Sequence, residues 1–265
     1  MITAGVDIGS TTTKVAILDD AGRLLAREIV PTGPLPAETA RRVFADTLAK
    51  AGLRADQVET VATTGYGRRL VDFGDMVLTE IRACATGVVF GAPAGSGIRT
   101  VIDVGGQDTK VIALADTGDI EDFGMNDKCA AGTGRFLQVL ADKLGVDYAE
   151  FVRLALTSDG LIHMNSTCAV FAESEAVGLL ARGASKADIA SAAHHAIAGR
   201  IASMVRRVSH RGEYAFVGGG SLNAALVRTV AEALNAPIHV PADPQLAMAL
   251  GAAVCARNRK PPPAV

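Results

Sequence analysis

A short internal repeat constrains the fold of this chain more than any other feature. The segment GVDIGSTTTKVAILDDAG, which begins at Gly5, and the segment VIDVGGQDTKVIALADTG, which begins at Val101, carry Asp, Gly, Thr and Lys in the same order at the same offsets. Each has apolar residues on both sides of a glycine turn, which is typical of two strands joined by that turn. Two such units predict duplicated halves around a central cleft.

Helices are predicted beside these strands. Residues 37–52 have helical spacing with Gly52 as the stop, and beyond Gly124 the chain is mostly helical, with a long helix from about Ser185 to Val208. A strand, a helix, a strand and a last helix follow. We therefore predict an α/β protein whose first half comprises residues 1–99 plus 244–265 and whose second half comprises residues 100–243.

The composition indicates a globular protein that acts neither on nucleic acid nor in a membrane. Hydrophobic residues make up 49% of the 265 residues, enough to bury a substantial core. The net charge of −2 comes without a basic stripe, which argues against a nucleic-acid partner. No uninterrupted apolar run approaches ~18 residues, and the N-terminus lacks a charged segment before an apolar one, so we expect a cytoplasmic protein.

Small residues in the first repeat predict a loop that binds phosphate. Backbone N–H groups can approach phosphate oxygens where side chains are small, and Lys14 adds a positive charge. Asp7 can hold Mg²⁺, most often through water, which makes it a candidate catalytic residue. The residues that we expect to bind nucleotide in this loop are Ser10, Thr11, Thr12, Thr13 and Lys14.

The second repeat predicts an opposing phosphate loop. Two such loops facing one cleft can bracket the β- and γ-phosphates and their Mg²⁺. Gln107 and Asp103 are the candidates to orient an attacking water, and Gly105, Gly106 and Gln107 are candidates to bind the nucleotide. Seen alone, each of the two turns is equally an ordinary hairpin.

A third glycine run, VGGGSLN at 217–223, stands where a strand is predicted to meet a helix. Bare backbone at such a junction can let a nucleoside lie against it, and the alternative is a tight turn. The chain has no GK[ST] P-loop, which argues against a Walker-type ATPase. The further residues expected to bind nucleotide are Gly218, Gly219, Gly220, Asn223 and Gln245.

Two of the four cysteines stand where a helix is predicted to begin. NDKCAAGTGRFL surrounds Cys129 and NSTCAVFAESE surrounds Cys168. The free N–H groups of a first helical turn favour a thiolate and a bound anion such as a thiolate-held metal cluster. The alternative is burial as a small hydrophobic residue, which we expect for Cys84 and Cys255, and the Cys/His spacing of a zinc site is missing. The five histidines are expected on helix faces or at the surface.

The order DxGSTTTK, DxGGQDTK, VGGGSLN resembles the actin, hexokinase and heat-shock chaperone ATPase superfamily over the whole chain. Within it, the chain resembles the ATP-dependent activators of 2-hydroxyacyl-CoA dehydratases and the related ATPase subunits of benzoyl-CoA reductase, the BadF/BadG/BcrA/BcrD type. The residues that carry this resemblance are ATTGYGR at 62–68, GGQDTKV at 105–111, MNDKCAAGTGRF at 125–136 and STCAVFAESE at 166–175. Near Cys84 this chain has ACATG where the family often has Cys-His-Ala.

The resemblance implies a two-domain actin-like fold of duplicated ribonuclease-H-like halves, with ATP in the central cleft and a helix-cluster-helix dimer interface. It implies ATP, Mg²⁺ and one 4Fe-4S cluster per homodimer as cofactors, with Cys129 and Cys168 of each subunit as the cluster ligands. Reduced ferredoxin or flavodoxin would be the electron donor, and an iron-sulfur dehydratase the acceptor. ATP hydrolysis would then drive a low-potential electron transfer.

Two alternatives remain open from the sequence. The ATPase subunit of a benzoyl-CoA reductase has the same motifs and differs in its acceptor. A small-molecule kinase or a non-redox regulatory ATPase of the same fold shares the phosphate loops but does not need Cys129 and Cys168.

Overall fold

The structure, a computed structural model, describes residues 1–126, 133–158, 162–164, 169–208 and 211–259. The chain divides into two compact units, residues 1–94 with 245–265 (unit 1) and residues 95–244 (unit 2). The sequence-based limits of 1–99 plus 244–265 and of 100–243 stay a prediction about folding domains. No helix in the described ranges is both long and apolar enough to cross a membrane.

Unit 1 contains a five-stranded sheet in the order β3-β2-β1-β4-β5. Strand β1 pairs antiparallel with β2 and parallel with β4, so that Asp7 lies opposite Lys14 on one side and Thr64 on the other. The strands are β1 Thr3–Ile8, β2 Thr12–Leu18, β3 Leu24–Pro31, β4 Thr60–Thr64 and β5 Met76–Val77, and the helices are α1 Pro36–Lys50, α2 Glu80–Gly91 and α8 Ala247–Arg257.

Helices cover both faces of the sheet of unit 1. Val6 and Ile8 of β1 share a hydrophobic cluster with Phe44 of α1 on one face. Helix α8 packs on the other face so closely that a Cβ at Gly5 would meet the carbonyl oxygen of Ala249. The core therefore fixes β1 from both sides and sets the position of Asp7 near its carboxyl end.

Unit 2 contains a five-stranded sheet in the order β10-β9-β6-β7-β8 and one large hydrophobic core that includes residues of α3 to α7. Strand β6 pairs antiparallel with β7 and parallel with β9, which places Asp103 opposite Lys110 and Val217. The strands are β6 Ile98–Val104, β7 Thr109–Leu114, β8 Ile120–Asn126, β9 Glu213–Val217 and β10 Ile238–His239, and the helices are α3 Gly134–Lys143, α4 Tyr148–Thr157, α5 Ala169–Ala181, α6 Lys186–Val208 and α7 Ala224–Leu234.

The two sheets have the same strand order, since β3-β2-β1-β4-β5 corresponds to β8-β7-β6-β9-β10 with the same parallel and antiparallel pairs. The duplication predicted from the sequence is therefore confirmed for all five strands. The predicted helix with its stop at Gly52 is α1, and the predicted long helix is α6. Gly52 has φ 66°, which ends the helix without strain because glycine has no Cβ.

Candidate functional site

In unit 1 the first repeat forms a turn that joins β1 to β2. The N–H of Gly9 donates to the carbonyl oxygen of Thr12 at 3.1 Å. Lys14 Nζ donates to Asp7 Oδ2 at 2.8 Å, and the side chains of Lys14 and Asp7 are 14% and 2% exposed. Because the ammonium group of Lys14 keeps contact with water, it is able to meet an anion bound at this turn.

The corresponding turn in unit 2 is built differently around its lysine. The N–H of Gly105 donates to the carbonyl oxygen of Asp108 at 2.9 Å, as in the first repeat. Lys110, however, is 1% exposed, and its Nζ lies 2.7 Å from Asp108 Oδ1 and 3.4 Å from Asp103 Oδ2. Lys110 therefore neutralises two carboxylates inside unit 2, whereas Lys14 neutralises one and stays accessible.

A further glycine turn follows β4 and approaches the aspartate of unit 1. Gly65 has φ 88°, and a Cβ there would clash with Asp7 Oδ1 and lie 2.6 Å from the carbonyl oxygen of Ile8. The N–H of Gly67 donates to the same carbonyl oxygen at 2.8 Å. Both glycines belong to the ATTGYGR motif, but neither was predicted to take part in the site.

The same arrangement recurs after β9 in unit 2. Gly218 has φ 81°, and a Cβ there would clash with Asp103 Oδ1 and lie 2.6 Å from the carbonyl oxygen of Val104. At Gly220, two positions later, a Cβ would lie 2.6 Å from the side chain of Val104. The duplicated half-site is thus an aspartate, a turn after it, a lysine across the strand pair, and a Gly-x-Gly turn against the aspartate.

Two buried polar atoms next to the glycine turn of unit 1 have no hydrogen-bond partner in the part of the chain that the structure describes. They are Asp7 Oδ1 and Thr64 Oγ1. Carboxylate oxygens and water are the ligands that Mg²⁺ prefers, so a magnesium-bound water at Asp7 Oδ1 would satisfy the buried carboxylate. The residues of this turn therefore fit the Mg²⁺ and phosphate groups expected from the sequence.

Asn223 is 2% exposed and uses its side-chain amide within unit 2. Its Oδ1 accepts from the N–H of Leu226 at 3.0 Å and caps α7, which the Gly218–Asn223 segment leads into. Its Nδ2 donates to the hydroxyl of Tyr148 at 3.0 Å and lies 2.9 Å from His194 Nε2. Burial raises the pKa of Tyr148, so this hydroxyl stays neutral.

His194, in α6, is fully buried, so its expected place on a helix face or at the surface is wrong. Its Nδ1 lies 2.7 Å from the carbonyl oxygen of Ala190, an acceptor, so Nδ1 carries the proton and Nε2 accepts from Asn223. Burial lowers the pKa of His194 to about 4, mainly because the charged imidazolium would lose its water.

The buried neutral histidine predicts a pH-dependent stability. Below pH 6.5 the unfolded chain protonates this side chain before the folded chain does, so the stability present above pH 6.5 is lost as the pH falls through 4. At ~1.4 kcal/mol per pKa unit the loss approaches about 3 kcal/mol. Urea unfolding of the wild type and His194→Gln from pH 7.5 to 4 should show a weaker pH dependence in the variant. His195→Gln, whose parent side chain is 44% exposed, should keep the wild-type dependence.

The other predicted binding residues occupy the exposed parts of these turns. Ser10, Thr11 and Gln107 are exposed, Thr12 and Gly106 are half-buried, and Gly219 is exposed at the start of a short 3₁₀ turn over Gly219–Leu222. Thr13 is buried in β2, with its hydroxyl 3.0 Å from that of Thr32. Gln245 is half-buried in a second 3₁₀ turn, Pro244–Leu246, and belongs to unit 1.

The predicted cluster ligands Cys129 and Cys168 lie outside the described residues. Helix α5 begins at Ala169, directly after Cys168 in the sequence, and α3 begins at Gly134, shortly after Cys129. Cys84 and Cys255 are free and buried in α2 and α8, as expected. Among the described residues, no group of three or more His, Cys, Asp or Glu side chains is placed to hold a metal ion.

The geometry of the duplicated half-sites agrees with the result of sequence comparison. Residues 4–256 match the BadF/BadG/BcrA/BcrD ATPase family. The chain belongs to this family. One component of the benzoyl-CoA reductase of Thauera aromatica is 31% identical to this member over 88% of this chain and 83% of its own length.

Two solved structures of activator proteins share the fold of this BadF/BadG/BcrA/BcrD ATPase. The activator of the 2-hydroxyisocaproyl-CoA dehydratase from Clostridium difficile, with bound ADPNP, is 40% identical with a TM-score of 0.87, covering 97% of this chain and 95% of that one. Component A of the (R)-2-hydroxyglutaryl-CoA dehydratase of Acidaminococcus fermentans is 35% identical with a TM-score of 0.91, covering 97% and 98%. The predicted α/β actin-like ATPase fold is confirmed.

Proposed function

We propose that this ATPase hydrolyses ATP to drive one-electron transfer to a 2-hydroxyacyl-CoA dehydratase. The observation that carries the proposal is the duplicated half-site, in which Lys14 stays accessible beside a buried Asp7 that has an unpartnered oxygen. The relative with bound ADPNP supports ATP as the nucleotide. The dehydratase as partner rests on the names of the two activator relatives.

The residues of the two turns would divide the work on ATP. Lys14 and the backbone amides of residues 10–13 would bind phosphate oxygens, and Asp7 would hold Mg²⁺ through water. Asp103 is 2% exposed and ion-paired with Lys110, whereas Gln107 is exposed on its turn. Gln107 is therefore the better candidate to orient the attacking water.

Cys129 and Cys168 would hold the redox group, two from each subunit of a homodimer. Thiolate sulfur is the ligand that 4Fe-4S clusters take, so the donor set fits in kind. A 4Fe-4S cluster supplies one electron at a time at low potential. Because each cysteine precedes a helix, α3 or α5, a nucleotide-dependent shift of these helices would change the positive charge near the thiolates. Reduced ferredoxin or flavodoxin would supply the electron.

A second candidate function is the ATPase role in a benzoyl-CoA reductase, which the similarity to the component of the Thauera aromatica enzyme favours. The two functions share every residue named above and differ in the electron acceptor. The acceptor therefore has to be tested directly.

The test combines anaerobically purified protein with a 2-hydroxyacyl-CoA dehydratase, reduced ferredoxin and Mg-ATP. We expect dehydration to start only with a hydrolysable nucleotide, and a benzoyl-CoA reductase core supplied instead to remain inactive. Activation of the reductase core alone would favour the second candidate. Activation of neither acceptor, together with phosphoryl transfer to a small hydroxyl compound, would contradict both.

A further inference from the structure

A buried polar network ties the glycine turn after β9 to two helices of unit 2. The amide of Asn223 bonds to Tyr148 of α4, to His194 of α6 and to the first turn of α7. The N–H of Asn223 also donates to the carbonyl oxygen of Gly220 at 3.2 Å. The side chain of Asn223 therefore has no free donor to offer a ligand and instead fixes the end of the turn.

The network belongs to only one of the two equivalent turns. In unit 1 the turn that begins at Gly65 is held by Arg68, whose Nη1 donates to the carbonyl oxygen of Gly65 at 3.0 Å. In unit 2 the turn leads through Asn223 into α7, and His194 supports that residue from within the hydrophobic core, next to the ring of Phe151 at 5.4 Å. The duplicated fold thus does not require a histidine at this place.

We propose that His194 is a positioning residue which, as a neutral imidazole, holds Asn223 and thereby keeps the Gly218–Leu222 turn in the shape that receives the nucleoside of ATP. This inference rests on the proposed function, since it assumes that the protein binds ATP.

Chemistry explains why an apolar residue does not serve here. Only an acceptor at the place of Nε2 pairs with the second Nδ2 hydrogen of Asn223, which would otherwise be buried without a partner. The depressed pKa of His194 keeps this lone pair free at neutral pH. Loss of the acceptor would free the amide to rotate away from the cap of α7 and from Gly220, and the turn would lose its fixed conformation.

The test compares a ligand that has a nucleoside with one that lacks it. The dissociation constants of Mg-ATP and of Mg-tripolyphosphate are measured by calorimetry for wild type, His194→Leu, His194→Gln and the control His195→Leu. We expect His194→Leu to weaken ATP about tenfold or more, because an unpaired buried amide costs about 1–3 kcal/mol. Tripolyphosphate should stay within about twofold because it does not use this turn. Gln offers an acceptor oxygen and should recover part of the ATP affinity, and His195→Leu should bind both ligands as the wild type does.

A second variant keeps the inference testable if His194→Leu does not fold. Asn223→Asp retains the cap on α7 but places an acceptor against the Nε2 lone pair of His194. Its ATP affinity should be low at pH 8 and rise as the pH falls and Nε2 gains a proton, while that of the wild type falls. The other titratable or charged groups that face this histidine are Tyr148 of α4, His195 of α6 and Arg228 of α7, and all remain in the variant.

Equal loss of ATP and tripolyphosphate, or unchanged ATP binding in His194→Leu, would overturn the inference, as would a pH response of Asn223→Asp that follows the wild type. A wild-type protein that binds neither ligand would contradict the proposed function and this inference with it. A wild type that binds both, with selective loss in the variant, supports both.

Discussion

Lys110→Met is expected to lower the free energy of unfolding by about 3–5 kcal/mol, since it leaves a buried carboxylate without its cation. Asp103 is 2% exposed, and Lys110 is its ion-pair partner at 3.4 Å. Methionine fills a similar volume, so the loss would come from charge rather than from a cavity. Urea unfolding at pH 7.5 measures it.

Lys14→Met is the matched control for this prediction. Lys14 occupies the equivalent position in unit 1, but its side chain is 14% exposed, so water can partly replace it at Asp7. We expect a smaller loss of stability and a larger loss of ATP affinity than in Lys110→Met. Adding Asp108→Asn to Lys110→Met should restore part of the stability. Equal destabilisation by the two lysine variants, or no recovery in the double variant, would show that Lys110 is not holding the two carboxylates.

Gly65→Ala should be the second strongly destabilised variant, by about 2–4 kcal/mol. Its φ of 88° strains any residue with a Cβ, and the new methyl group would press on Asp7 and on the carbonyl oxygen of Ile8. Because backbone rather than a flexible side chain is in the way, the turn itself would have to shift. Urea unfolding gives the stability, and calorimetry with Mg-ATP should show that binding weakens as well.

Gly52→Ala separates the backbone strain from the clash. Gly52 also has a positive φ, 66°, but a Cβ there would meet no atom within 4 Å. We expect about 1 kcal/mol of destabilisation and no change in ATP binding. If Gly65→Ala were no more harmful than Gly52→Ala, the close approach of this turn to Asp7 would have no energetic role.

The sequence allowed the strands of both halves to be predicted because Asp, Gly, Thr and Lys recur at a fixed offset. That offset does not extend to the Gly-x-Gly turns, since helices α3 to α6 lie between β8 and β9 whereas α1 alone precedes β4. Gly65 and Gly67 were therefore missed as counterparts of Gly218 and Gly220. Their spacing after a predicted strand was the available signal.

The roles of two buried polar residues could not be read from spacing. Lys14 and Lys110 occupy identical places in the repeat, and the difference in burial arises in the fold, where Asp108 adds a second carboxylate next to Lys110. His194 stands beside His195 in one helix, and only tertiary packing decides which of the two enters the core. The assignment of Cys129 and Cys168 stays a prediction because both lie outside the described residues.

The most direct measurement is the iron and acid-labile sulfide content of protein purified without oxygen. We expect about two irons per chain, as for one 4Fe-4S cluster shared by a dimer. Cys129→Ala and Cys168→Ala should each lose the iron, whereas Cys84→Ala and Cys255→Ala, at the buried free cysteines, should keep it. Iron near zero in the wild type even after reconstitution, or iron retained in both ligand variants, would contradict the proposed electron transfer.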